Sequence, residues 1–144
     1  MVFDVDARIE EGAIYLGEGG LSKLYLKNNR CFPWLILVPK IADVFELYQL
    51  KPQEQMLLME EITALSKLIV TVFKPEKINV ASLGNRVAQL HVHVVGRYQH
   101  DPLWPDGIWQ AGLPNHPYQD DELQMLMQQL KKYLMTEVKT SPLR

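Results

Sequence analysis

The chain has 144 residues, 47% of them apolar and 22% charged, with a formal net charge of −2. That length suits one well-buried domain and is short for two, and the composition excludes collagen-like and disordered classes. The small charge gives the chain as a whole no electrostatic claim on nucleic acid or a membrane surface.

The opening stretch MVFDVDARIEEG lacks a basic region followed by an apolar run, and no later run is long enough to span a bilayer. A cytoplasmic protein is therefore expected. AIYLGEGGLSKLYLKNN reads as two short strands around a turn at Gly17 to Gly20, with a second turn at Asn28 and Asn29. Those glycines do not make a phosphate loop, because no Lys-Ser or Lys-Thr follows them and no long helix opens there. Cys31, the only cysteine, excludes an internal disulfide and a multi-cysteine zinc site from one chain, and reads as a small hydrophobe.

PWLILVPK, between Pro33 and Pro39, is a nearly continuous apolar run, as expected of a strand buried on both faces, with Trp34 in the core. From Pro52 the period changes. Leu58, Ile62, Leu65, Ile69 and Val72 make one helical stripe, Pro52 suits the first turn and Pro75 marks the end. KINVASLGN returns to strand-like residues, stops at Gly84-Asn85 and leads into QLHVHVVGR, residues 89–97, as an antiparallel hairpin partner.

The segment 101–118 is rich in proline and turn residues yet carries Trp104 and Trp109, which predicts an ordered loop without regular structure. Asp120 can cap a helix over about 120–138, with Leu123, Met127, Leu130 and Leu134 on one face and Asp121 and Glu122 near the positive end of its dipole. Strands, a long helix, strands and a final helix, with no internal repeat, predict a single α+β domain whose core runs over about 13–100.

In QLHVHVVGR, strand periodicity puts Gln89, His91 and His93 on one face and Leu90, Val92 and Val94 on the other. Alternate residues of a strand lie roughly 6.6 to 6.8 Å apart, so the polar row spans about 13 Å, enough to contact an elongated ligand. A His-x-His pair also occurs in zinc sites. Zinc needs three or four ligands and an amide is a poor one, so His100, His116 or Asp101 would have to contribute. From spacing alone, ligand, metal and purely structural readings all stand.

The string Gln89-Leu-His91-Val-His93-Val-Val95-Gly-Arg97 resembles the signature of the histidine triad family, His-φ-His-φ-His-φ-φ with φ apolar, with glutamine in place of the first histidine. PWLILVPK, the long helix and INVASLGN before the motif are similar to that family over about Leu24 to Arg97. DPLWPDGIW resembles a bacterial branch in which glutamine opens the motif. His93 is followed by two apolar residues and, shortly after, Arg97, so His91 takes the middle position.

The resemblance implies a mainly antiparallel sheet with one long helix and a C-terminal helix, a two-fold homodimer with joined sheets, and a purine nucleotide or nucleotide conjugate as ligand. In the family the middle histidine attacks the α-phosphorus of a nucleotide, a nucleotidyl-histidine forms, and water or another acceptor removes it. Covalent catalysis of this kind splits one difficult displacement into two easier ones. His91 is then the nucleophile of a nucleotidyl hydrolase or transferase acting on phosphoramidates or dinucleoside polyphosphates, with its Nδ1–H held by a backbone carbonyl.

By the same resemblance His93, Gln89, Asn85 and Asn79 are the candidate donors to the phosphoryl oxygens; Arg86 reads as a surface charge first and is kept as a candidate phosphate ligand. Asn28, ahead of Asn29, is the candidate for the ribose hydroxyls. Arg97, Arg30 and Lys40 read as surface charges before phosphate ligands, and His100 and His116 as ordinary loop residues. Trp104 and Trp109 read as loop anchors, as a cover for the base or as contacts to a second subunit. No cofactor and no dedicated metal is required. Gln89 cannot titrate near neutral pH, which leaves a nucleotide-binding module with little turnover as the alternative, and a zinc-binding protein as a third reading.

Overall fold

A computed structural model describes residues 2–135 of the chain. Five strands, β1 (Ala13–Glu18), β2 (Ser22–Lys27), β3 (Trp34–Pro39), β4 (Lys77–Ala81) and β5 (Val92–Arg97), form one antiparallel sheet in the order β1-β2-β3-β5-β4. Among the described residues three α-helices accompany it: α1 (Ala7–Glu10), α2 (Pro52–Phe73) and α3 (Asp120–Tyr133). No helix among the described residues is long and apolar enough to cross a membrane.

β3 is apolar throughout because both of its faces are covered. Leu35 and Leu37 join Leu24, Leu26, Val92 and Val94 under Leu58, Leu65, Leu68 and Ile69 of α2, with Leu130 of α3 closing the same cluster. Trp34, Ile36 and Val38 point the other way, where they join Tyr25 and Val95 beneath Ile9 of α1 and Ile108 of the long loop. Both histidines of QLHVHVVGR belong to this second side, since His93 pairs with Ile36 across the ladder and the His91 ring lies beside it.

α2 begins with Pro52 and ends at Lys74, whose φ of 51° is left-handed, one residue before Pro75. Its buried stripe includes a charge that the apolar pattern does not reveal. Glu61 is wholly buried, and its Oε2 accepts hydrogen bonds from the N–H groups of Leu21 at 3.0 Å and Ser22 at 3.2 Å. The carboxylate thus fixes the β1–β2 turn to the middle of the helix. Close approach also explains Gly96, where a Cβ would lie 3.0 Å from Cγ2 of Ile69 and 3.1 Å from Pro33 and Pro75.

Several expected boundaries shift. The histidine strand starts at Val92, so Gln89, Leu90 and His91 precede it; the N–H of Leu90 bonds to Val44 O at 3.0 Å rather than to a ladder neighbour. α1 and a 3-10 turn over Leu47–Gln49 were not expected from periodicity, being too short to show one. Asp120 is the first residue of α3 and not its cap; Gln119 precedes the helix, its N–H bonded to Oε1 of Glu122 at 3.3 Å. The helix predicted to about 138 is seen to Tyr133, and 136–138 lie outside the described residues.

Candidate active site

His91 and His93 are both 9% exposed and stand at the start of β5 with ring centroids 5.0 Å apart. Nδ1 of His91 lies 2.7 Å from the backbone oxygen of Gln89. A carbonyl only accepts, so Nδ1 carries a proton, and in the neutral ring the lone pair is on Nε2. His93 is held in the opposite tautomer. The indole N–H of Trp34 donates to its Nδ1 at 2.9 Å, and since an indole nitrogen only donates, the proton of His93 resides on Nε2.

Burial pushes the pKa of His93 down to about 3, with His91 and the ammonium of Lys27 adding to the effect. His93 is therefore a neutral donor at any physiological pH. Lys27 itself lies with Nζ 5.7 Å from the Trp34 ring centroid, and burial lowers its pKa. A nucleophilic nitrogen and a neutral N–H thus sit side by side on one wall.

That wall closes a cavity of about 610 Å³, within the range of small-ligand sites. The rest of its lining comes from the loop after β4, including Asn85 and Arg86, and from the 109–113 stretch, including Trp109 and Gln110. Trp109 packs 5.6 Å from His93 and 6.5 Å from Trp34, centroid to centroid, and its buried Nε1–H finds no acceptor among the described residues. The cavity so joins four of the seven residues expected from the sequence: His91, His93, Asn85 and Arg86.

The other three are used elsewhere. Gln89 precedes the strand and points away from the cavity, where its Oε1 accepts from Asp6 N at 2.7 Å and its Nε2 donates to Asp4 O at 2.8 Å. The amide clips the N-terminal segment in the manner of a neighbouring strand, accepting from one backbone group and donating to another. It touches the chemistry only through its own carbonyl, which orients His91. Gln89→Ala is accordingly expected to lower stability by about 1–2 kcal/mol, the scale of lost hydrogen bonds, and to speed amide exchange at Asp6. Denaturant titration and hydrogen exchange check this.

Asn79 accepts from Nη1 of Arg97 at 2.9 Å and does not line the cavity. Asn28 accepts from Tyr118 N at 3.0 Å, and buried Asn29 holds Pro114 O, Cys31 N and His116 N, so both asparagines fix the return of the long loop. Arg97, read as a surface charge, is buried against Asp101. The extra donors weighed for zinc stand apart from the histidine pair: Asp101 binds Arg97, His100 is an exposed ring stacked on Tyr98, and His116 is exposed in the returning loop; none of them lines the cavity. Among the described residues no group of three or more His, Cys, Asp or Glu side chains is placed to hold a metal ion.

Sequence reasoning missed Trp34 and Lys27. Parity could have found the first: once PWLILVPK pairs with the histidine strand, Trp34 must lie on either the histidine face or the helix face, and Leu35 and Leu37 claim the latter.

A family model described as the HIT domain matches residues 9–100. Among solved structures, the chain is similar to a histidine triad (HIT) protein from Sinorhizobium meliloti 1021, with 38% identity, TM-score 0.85, and 90% of this chain and 96% of that one covered. A histidine triad protein from Marinobacter aquaeolei VT8 shares 36% identity, with TM-score 0.89 and coverage of 94% and 98%. One from Bradyrhizobium japonicum shares 33%, with TM-score 0.87 and coverage of 92% and 98%. No curated protein matched the sequence.

Proposed function

Since this chain belongs to the HIT domain family, a superfamily of nucleotide-binding and nucleotide-hydrolysing proteins, we propose that it hydrolyses or transfers a nucleotidyl group through a covalent bond to His91. The substrates in this reading are nucleotide phosphoramidates or dinucleoside polyphosphates, cleaved at the α-phosphate. The observation that carries it is the pair of opposite tautomers on one cavity wall, Nε2 of His91 free to attack and Nε2–H of His93 ready to donate.

Attack forms the Nε2–P bond while the bond from phosphorus to the leaving group breaks. His93, Asn85 and Arg86 then serve the charge on the non-bridging oxygens, which preorganised donors stabilise most where water is excluded. Water or another acceptor attacks the same phosphorus in the second step and returns the electron pair to His91. The homodimer and the cytoplasmic location expected from the sequence belong to this reading, with β1 and β4 as the sheet edges open to a second copy.

The test is intact-protein mass spectrometry after rapid mixing with an adenosine phosphoramidate or a diadenosine polyphosphate, quenched in alkali, where a phosphohistidine-type bond survives. An adenylyl adduct that maps to the peptide containing His91 and decays as AMP is released is the expected result. AMP binding with neither adduct nor product from any substrate overturns it and leaves a nucleotide-binding module.

A further inference from the structure

We propose that Trp34 is a positioning residue which, by occupying Nδ1 of His93, denies the site a proton for the leaving group, so that the chain selects substrates whose leaving group departs as a stable anion. This rests on the nucleotidyl-transfer reading and specifies its leaving group.

To become a proton donor in its own right, His93 would have to be protonated on Nδ1 as well as Nε2. That nitrogen faces the Trp34 N–H at 2.9 Å, so a second proton would set two donors head to head. Burial and the nearby Lys27 ammonium oppose the added charge further. As a neutral imidazole, His93 offers a hydrogen bond through Nε2–H but does not surrender the proton.

No other group in the cavity takes over. In the signature this chain resembles, the first position holds an imidazole; here it is an amide clipped to Asp4 and Asp6. Asn85 and Gln110 are amides, and Arg86 keeps its protons throughout the physiological range. Among the described residues lining the cavity there is no carboxyl, lysine, tyrosine or cysteine. The proton on Nδ1 of His91 is directed at Gln89 O, away from the reacting phosphorus.

In the first step the electron pair of the broken bond leaves with the departing atom. A phosphate, sulfate or carboxylate carries that pair as a stable anion. An alkylamine does not, and its nitrogen must gain a proton as the P–N bond breaks. In the second step the water oxygen bonds to phosphorus, the Nε2–P pair returns to His91, and the water's proton passes to solvent, so the cycle closes without an internal acid.

The experiment compares kcat/KM for diadenosine tetraphosphate and for an alkyl adenosine 5′-phosphoramidate, cleaved at the same adenylyl phosphorus. The anhydride is expected to be faster by about 100-fold or more, the lower end of what a positioned general acid contributes. A smaller preference, or the reverse, overturns the inference and leaves the nucleotidyl-transfer reading standing. Turnover of neither, with AMP bound, overturns that reading itself. Nitrogen-15 NMR of the unliganded protein gives an independent arm: Nδ1 of His93 should stay unprotonated between about pH 5 and 8, where an unperturbed histidine titrates. A proton on Nδ1 in that window overturns the proposal whatever the kinetics. In Trp34→Phe, Nδ1 of His93 loses the donor that faces it, and the substrate ratio should narrow while AMP binding is kept; an unchanged ratio would take Trp34 out of the argument.

Discussion

Replacing His91 by alanine is expected to lower kcat by roughly three to six orders of magnitude, the scale on which loss of a covalent nucleophile acts, while KM changes little. The split follows from the geometry. His91 is the only cavity residue among those described whose ring nitrogen is left with a lone pair by its partner, whereas binding in the proposed mechanism draws on His93, Asn85 and Arg86, which the substitution leaves in place. The ring also stands outside the strand ladder, so its removal should not unfold the sheet. Single-turnover kinetics with parent and variant decide the matter. Residual activity within about tenfold of the parent, a barrier change of only about 1.4 kcal/mol, would remove covalent catalysis at this residue.

The largest effect on stability is expected at Asp101. Its carboxylate, 1% exposed, accepts two hydrogen bonds from the Arg97 guanidinium at 2.8 and 3.0 Å and further ones from the N–H groups of Tyr98, Leu103 and Trp104. Asp101→Ala would leave the buried Arg97 charge with Asn79 and the faces of Phe32 and Trp104, at a cost of about 3–5 kcal/mol. For a chain of this size that lowers Tm by roughly 10–20 °C in calorimetry. The double variant Arg97→Met with Asp101→Leu should recover much of the loss, since it is the unpaired charge that destabilises.

The same residue gives a pH signature. Burial alone would raise the Asp101 carboxyl, but the bond to Arg97 and the N–H groups of Tyr98 and Leu103 outweigh it and hold the pKa below its ordinary 3.8. A depressed carboxyl contributes its stabilisation fully above the unfolded value and loses it as pH falls through the folded one. The gap between parent and Asp101→Ala should therefore close in strong acid. A gap that persists there would indicate lost packing instead.

Elements with a long period were legible in the sequence. The α2 stripe, the all-apolar β3 and the pairing of β4 with β5 each follow from residues whose spacing repeats, and the α+β class follows with them. Glu61, Asn28 and Gln89 were not legible in the same way. Each is a polar side chain whose partner is a backbone group 39 or more positions away, and nothing in local spacing marks such a contact. At the site, the motif indicated which imidazoles matter but not how each is protonated. That depends on Trp34, brought to His93 from 59 positions away by the β3–β5 ladder.

The strand order assigns the two walls of the cavity different opening free energies. β5 is flanked by β3 and β4 and packs on α2, so freeing His93, and with it the segment that carries His91 into the strand, disturbs the core. The facing lip, the loop after β4 and the 109–113 stretch, belongs to no strand or helix and is anchored on the core by the partly buried Val87, Trp109 and Leu113, so it can open at a smaller cost than β5. Exchange protection should follow this division, with β5 amides near the global limit and those of the lip far below it. Accommodation of ligands of different size then belongs to the lip, while the two ring nitrogens hold their aim through every such excursion.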